Sequence, residues 1–134
     1  MSDRLAAAEA LLADLVGFAS LSGQPNGDIV NYIKTYLESC GVIVHLDSHE
    51  DGQRFNLFAS IGPQIDGGVL LSGHLDVVPA NPAGWSRDPF VLHKQDGRLY
   101  GRGAVDMKGF LAIVLAIVPA FQQAASQLAQ PMHL

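Results

Sequence analysis

Three observations predict an α/β fold with a mixed sheet for this 134-residue chain. Segments with helical and with strand-like apolar spacing alternate along it. Hydrophobic residues make up 49% and charged residues 16%, a balance that suits a packed core and not a disordered chain. The length suffices for one domain with its own core, and no internal repeat or long linker divides it.

The elements follow in order. Leu5, Ala8, Leu12, Leu15, Val16 and Ala19 recur at helical spacing, with Ser2 or Asp3 as N-cap. SGQPNGD at 22–28 breaks that helix. A second helix is expected from Asp28, as N-cap, through Ile29, Ile33 and Leu37, closed by Gly41. Val42, Val44 and Leu46 alternate as in a strand, and residues 55–61 form another. After the turn GPQIDGG, residues 69–71 are a continuous apolar run, as expected of a strand buried on both faces. Residues 90–93 and 98–100 flank QDG as a hairpin. A third helix starts after GRGAVDMKG and carries GFLAIVLAIVPAF, apolar nearly all round and so expected to be buried. Pro119 is expected to kink it or end it early. Residues 122–130 read as a frayed continuation and a loop, and residues 131–134 open one more strand.

Composition narrows the function classes. The net charge of -5 leaves no basic footprint for nucleic acid. Cys40 is the only cysteine, so there is no internal disulfide framework and a reducing compartment is expected. The first sixteen residues lack the basic start and apolar core of a signal peptide. The longest apolar run, 110–121, is too short to span a bilayer. The expectation is an acidic cytoplasmic domain with neither nucleic-acid nor membrane partners.

The chemistry concentrates in residues 70–109. LLSGHLDVVP sets His74 and Asp76 two residues apart, so in extended backbone both can face one pocket. One nitrogen of a histidine can bind a metal while a carboxylate holds the other N–H. Asp106 lies between Gly103 and Gly109, where a bent backbone can aim a short side chain at a fixed point. Singly, each feature has a plainer reading: His-x-Asp as a hydrogen-bonded pair, Asp106 as an Asx-turn or helix N-cap. Gly101-Arg102-Gly103 begins like a dinucleotide loop, but the third glycine position holds Asp106 and no GxxxxGK follows.

Taken together, SGHLDVVP, GWSRDPF and GRLYGRGAVDMKG resemble the signatures of the two-zinc aminoacylase and carboxypeptidase G metallohydrolase family. The resemblance runs from about Leu12 to Leu134, and NLFASIGP, DMKGF and PMHL are most similar to its acetylornithine deacetylase branch. It implies a zinc aminopeptidase-like catalytic domain in which His74 binds one zinc ion, Asp106 bridges two, and Asp76 serves catalysis by orienting His74. Cobalt could substitute for zinc. The implied reaction is hydrolysis of the amide of a small N-acyl amino acid, N-acetyl-L-ornithine foremost, by a homodimeric enzyme of arginine synthesis. A water activated by the metals, with a glutamate as general base, attacks the acyl carbonyl. Leu75 stands where the family commonly has threonine, and is expected to point away from the His/Asp side.

The family's general base belongs to a Glu-Glu pair about thirty residues past the bridging aspartate, near position 138, and the 134 residues contain no such pair. Further ligands and the lid and dimerisation domain are not found either. The expectation is therefore residues 1–134 as the amino-terminal part of the zinc-binding catalytic domain, inactive alone. The alternatives are succinyl-diaminopimelate desuccinylase, another deacylase or peptidase of the family, or a truncated non-catalytic product.

The remaining chemistry-bearing residues have structural expectations. His45, His49, His93 and His133 carry no ligand spacing to His74, and Cys40 reads as a small core residue. Trp85 and Phe90 read as packing groups. Glu50 and Asp51 read as a solvated turn before Gly52. Arg102 either pairs with a carboxylate or solvates its loop.

Overall fold

Helices form at the three places where the apolar spacing is helical, and the computed structural model, which describes residues 2–134, adds their limits. They are α1 (Ser2–Gly17), α2 (Gly27–Ser39) and α3 (Gly109–Gln123). The strands are β1 (Val44–Ser48), β2 (Phe55–Ile61), β3 (Val69–Leu70), β4 (His93–Gln95), β5 (Arg98–Tyr100) and β6 (Met132–His133). They fall into two compact units: one comprises the chain up to Pro25 with Gly73–Ala116, the other Asn26–Ser72 with Ile117–Leu134.

In the first unit only the C-terminal half of α1 is apolar enough to be buried. Leu11, Leu12, Leu15 and Val16 are enclosed, whereas Leu5 is 71% exposed and Ala19 lies past the helix end. Asp3 sits in the first turn of α1, so it is not the cap. Gly101 approaches Val16 so closely that a Cβ there would meet its side chain at 2.8 Å. β4 and β5 form the hairpin around Asp96-Gly97, which have φ of 52° and 73°, the paired positive values of a type I′ turn. Phe90 precedes this hairpin in a turn and is not part of its first strand.

In the second unit the sheet has the order β1-β2-β6-β3. β1 and β2 pair antiparallel, with Val44 opposite Ala59 and Ser48 opposite Phe55. β6 pairs antiparallel with β2 and parallel with β3, so the sheet is mixed. α2 lies against β1 and β2, burying Ile29, Val30, Ile33 and Leu37, and the sheet buries Ala59, Ile61 and Met132. The N-cap position of α2 is Asn26 and not Asp28, which lies in the first turn. Asn26 spends its side chain on Phe55, donating to its carbonyl at 3.0 Å and accepting its N–H at 2.8 Å. Gly41, at φ 81°, closes the helix as expected.

Four further expectations are corrected. β3 is not buried on both faces: Val69 and Leu70 are 60% and 58% exposed, because β3 is an edge strand with β6 as its one neighbour among the described residues. α3 is not enclosed all round, since Phe110 and Ile113 are exposed. It also continues four residues beyond Pro119, to Gln123. Cys40 is half-buried and not a core residue. Residues Ala104–Gln123 are, by length and composition, long and apolar enough to cross a membrane. Asp106 and Met107 have non-helical backbone, however, so the continuous helix is the 15 residues of α3. At 1.5 Å per residue that is about 22 Å, short of a roughly 30 Å hydrocarbon layer.

Candidate metal centre

His74 and Asp76 lie in irregular backbone beyond β3, not within a strand. Their segment is held from the side by residues 20–22. Leu21 and Val77 form an isolated parallel bridge, in which the Ser22 N–H donates to the Val77 carbonyl at 3.0 Å and the Val77 N–H to the Ser20 carbonyl at 2.8 Å. The Ser20 hydroxyl adds a bond to the Leu75 carbonyl at 2.7 Å. From the other side, the His74 N–H meets the Met107 sulfur at 3.4 Å.

Asp106 projects from the turn Ala104–Lys108, which opens at Gly103 with φ 78° and leads directly into α3. A Cβ at Gly103 would collide with Val77, so the turn can lie this close only with glycine there. The Lys108 N–H closes the turn on the Gly103 carbonyl at 2.8 Å. The Asp106–Met107 peptide is cis.

All three residues singled out by spacing come together. His74 Nε2 is 3.0 Å from Asp106 Oδ1. His74 Nδ1 is 2.9 Å from the Asp76 carbonyl and 3.2 Å from Asp76 Oδ1. The Ser22 hydroxyl donates to Asp76 Oδ2. They line a cleft of about 290 Å³ with Val78 and Arg102. Burial works against the imidazolium of His74, but the hydrogen bonds and negative charges of Asp106 and Asp76 outweigh it and raise the His74 pKa. The Ser22 hydrogen bond is the main reason that the Asp76 pKa is lowered, acting against burial and assisted by His74.

An imidazole nitrogen and a carboxylate oxygen are zinc ligands, and a spacing of 3.0 Å can be bridged by an ion with bond lengths of about 2.0–2.2 Å. In kind and aim the donors fit zinc. In number they are two, and among the described residues no group of three or more His, Cys, Asp or Glu could hold a metal. Three of the other histidines have structural partners. Ser60 donates to His133 Nδ1 at 2.8 Å while His133 Nε2–H donates to the Gly67 carbonyl at 3.0 Å, and the ring stacks on Phe58. His49 lies beside Asp51 and Arg54, His93 beside Arg87, and His45 is exposed. Arg102 takes neither of its expected roles: its guanidinium lies over the Trp85 ring at 5.3 Å and donates to the Pro79 carbonyl at 3.4 Å.

Residues 70–134 match peptidase family M20/M25/M40, and the matched stretch contains His74, Asp76 and Asp106. Over this stretch the chain is similar to that family. It is 43% identical over 93 residues to an acetylornithine deacetylase of Shigella sonnei, covering 69% of this chain and 24% of that protein. It is 37% identical over 112 residues to that of Proteus mirabilis, covering 83% and 28%. The chain thus spans under a third of the length of these relatives. Among solved structures it resembles an M20 family metallo-carboxypeptidase from Sulfolobus solfataricus, with a TM-score of 0.80 and 27% identity, over 95% of this chain and 29% of that one. Human carnosine dipeptidase 1 gives a TM-score of 0.76 at 27% identity, over 98% and 32%.

Sequence reasoning missed two residues beside His74, Asp76 and Asp106. Ser22 gave no signal, because a serine in SGQPNGD reads as a helix breaker. Lys108 was passed over inside the DMKG motif. Its side chain is fully enclosed, and its ammonium donates to the Leu15 and Phe18 carbonyls at 2.8 and 2.7 Å at the end of α1. Burial pushes its pKa down to about 8. A lysine set between an acidic turn and a strongly apolar helix was the available signal.

Proposed function

We propose that this chain supplies one histidine and one bridging aspartate to the zinc centre of an amidohydrolase acting on small N-acyl amino acids, N-acetyl-L-ornithine first among them. The convergence of His74 Nε2 and Asp106 Oδ1, with His74 Nδ1 held by Asp76, is the observation that carries the reading. The names of the 37–43% identical relatives support the substrate. The resemblance also supports a cytoplasmic, homodimeric working form.

The chain's own residues divide the work. Asp76 accepts the Nδ1 proton of neutral His74, which leaves the Nε2 lone pair facing Asp106. Asp106 contributes a carboxylate whose side chain is 85% exposed, so its oxygens are free for more than one partner. His74 and Asp106 would hold the zinc. The chemistry supplied by zinc at such a site is Lewis acidity, which polarises a carbonyl and lowers the pKa of water from 15.7 to about 7.

The deciding experiment reads the coding frame past codon 134 in its native source and assays the product of that frame. A Glu-Glu pair within about ten codons is expected by the family resemblance, together with zinc-dependent acetate release from N-acetyl-L-ornithine. A stop codon there, or faster hydrolysis of N-succinyl-diaminopimelate, would overturn the assignment. A second reading, peptide-bond hydrolysis, is favoured by the dipeptidase and carboxypeptidase among the structural neighbours. Carnosine in the same assay separates it from deacetylation.

A further inference from the structure

We propose that Ser22 is a positioning residue of this centre, acting on His74 through Asp76. The inference rests on the reading of His74 as a metal ligand and deepens it.

The torsion of an aspartate carboxylate is broad and nearly two-fold, and the Asp76 side chain is half exposed, so its own segment does not fix it. It is fixed when both oxygens are engaged at once. Oδ1 faces His74 Nδ1 at 3.2 Å, and Oδ2 accepts the Ser22 hydroxyl. Ser22 is in turn held on its backbone. Its N–H bonds the Val77 carbonyl at 3.0 Å, the Val77 N–H returns to Ser20 at 2.8 Å, and the Ser20 hydroxyl reaches Leu75 at 2.7 Å. Ser20 and Ser22 flank the Leu21–Val77 bridge, and the hydroxyls of both reach the segment 75–77. One hydroxyl anchors its main chain and the other its carboxylate.

The consequence falls on His74. With the Asp76 carboxylate held against it, Nδ1 has two acceptors in the Asp76 carbonyl and Oδ1, and it keeps the proton of the neutral ring. Nε2 then offers its lone pair on the side of Asp106. Without the Ser22 hydroxyl, the carboxylate is free to turn to water; Nδ1 then keeps only the Asp76 carbonyl as acceptor, and its hold on the proton weakens against Nε2, where Asp106 would accept it.

The test uses the 134-residue chain labelled with 15N-histidine, in wild-type form and as Ser22→Thr and Ser22→Val, two side chains of equal shape that differ in the hydroxyl. The His74 tautomer is read from long-range proton–nitrogen spectra at alkaline pH, where the ring is neutral. Each protein is then titrated with zinc chloride alone and followed at the His74 resonances. Wild type and Ser22→Thr are expected to carry the proton on Nδ1, and Ser22→Val to shift it toward Nε2. Zinc affinity at His74 should fall about 10-fold in Ser22→Val, the lower end of the range for groups that orient metal ligands. Asp76→Asn should reproduce the tautomer shift. An Nδ1-protonated ring with undiminished zinc response in Ser22→Val would overturn the role of Ser22. Should zinc leave the wild-type His74 signals unmoved, the metal assignment fails, while the tautomer comparison still decides what Ser22 does.

Discussion

In the zinc centre proposed above, Asp106 would have few companions. With His74 it offers two ligand atoms where zinc takes about four. Chelation by two groups gains far less than the roughly 10–16 kcal/mol of a complete structural zinc site. The 134-residue chain should therefore give a shallow, weak calorimetric isotherm with zinc. A tight isotherm abolished by Asp106→Ala would contradict this. It should also release no acetate from N-acetyl-L-ornithine with added zinc, since the Glu-Glu pair expected to hold the general base is not among these residues. Turnover above a His74→Ala control would be the contrary result. Away from the centre, Asp51 accepts the N–H groups of Gln53 and Arg54 and pairs with the Arg54 guanidinium at 2.7 Å, which lowers its pKa to about 2. A carboxylate with a depressed folded-state pKa stabilises above its ordinary value and loses that contribution as pH falls through the depressed one. The Gln53 amide should stay protected from exchange at pH ~4 and lose protection toward pH ~2. Loss already complete at pH ~4 would refute the assignment.

At the scale of elements, spacing and turn chemistry were enough to find the three α-helices and to place β2 at its observed limits. The N-cap of α2 was misread because Asn26 and Asp28 are equally good capping types, and what separates them is the distant partner Phe55, 29 residues away. β3 was misread because a short apolar run looks the same whether it is central or at an edge. The convergence of His74, Asp76 and Asp106 was legible because two glycine-flanked motifs carry them. Ser22 and Lys108 were not, because their partners are backbone carbonyls and a carboxylate more than fifty residues away. The Lys108 bonds join the Asp106 turn to the end of α1 and satisfy two carbonyls there. Lys108→Met should leave both carbonyls without that donor and cost about 2 kcal/mol, read as a lower urea midpoint with unchanged slope. An unchanged midpoint would show that water replaces the ammonium. Gly68 has φ 99°, and a Cβ there would collide with the Pro131 carbonyl, the acceptor of the Val69 N–H at 3.1 Å. Gly68→Ala should cost at least about 1 kcal/mol and speed amide exchange at Val69 and Leu71, which bind β6. Unaltered exchange at both would count against this account of β3.

For the molecule as a whole, the exposed apolar side chains set its behaviour in solution. The sheet ends at β3, whose outer edge has no partner strand among the described residues, and Val69 and Leu70 lie open upon it. Ile65 precedes this edge at 52% exposure, and Phe58 on β2 is 46% exposed. The other unit leaves Val78, Val91, Val105 and Ile113 more than half exposed. Single exposed apolar residues are ordinary, but an unpaired strand edge bearing two of them is a template for another strand. The chain carries little to oppose such pairing: its net charge is only -5, and neither lysine nor proline stands within β3. The 134-residue chain should self-associate as its concentration rises and should bind an apolar dye. A lysine on the edge blocks strand addition by charge and by the water it keeps, so Val69→Lys should shift the sedimentation profile toward monomer and weaken dye binding. Phe110→Lys, in the other unit and away from any strand edge, should do much less. A wild-type chain that stays monomeric, melts in one sharp transition and binds no dye would show that the β3 edge does not recruit a strand. Equal relief by the two substitutions would trace association to general hydrophobicity and not to the edge.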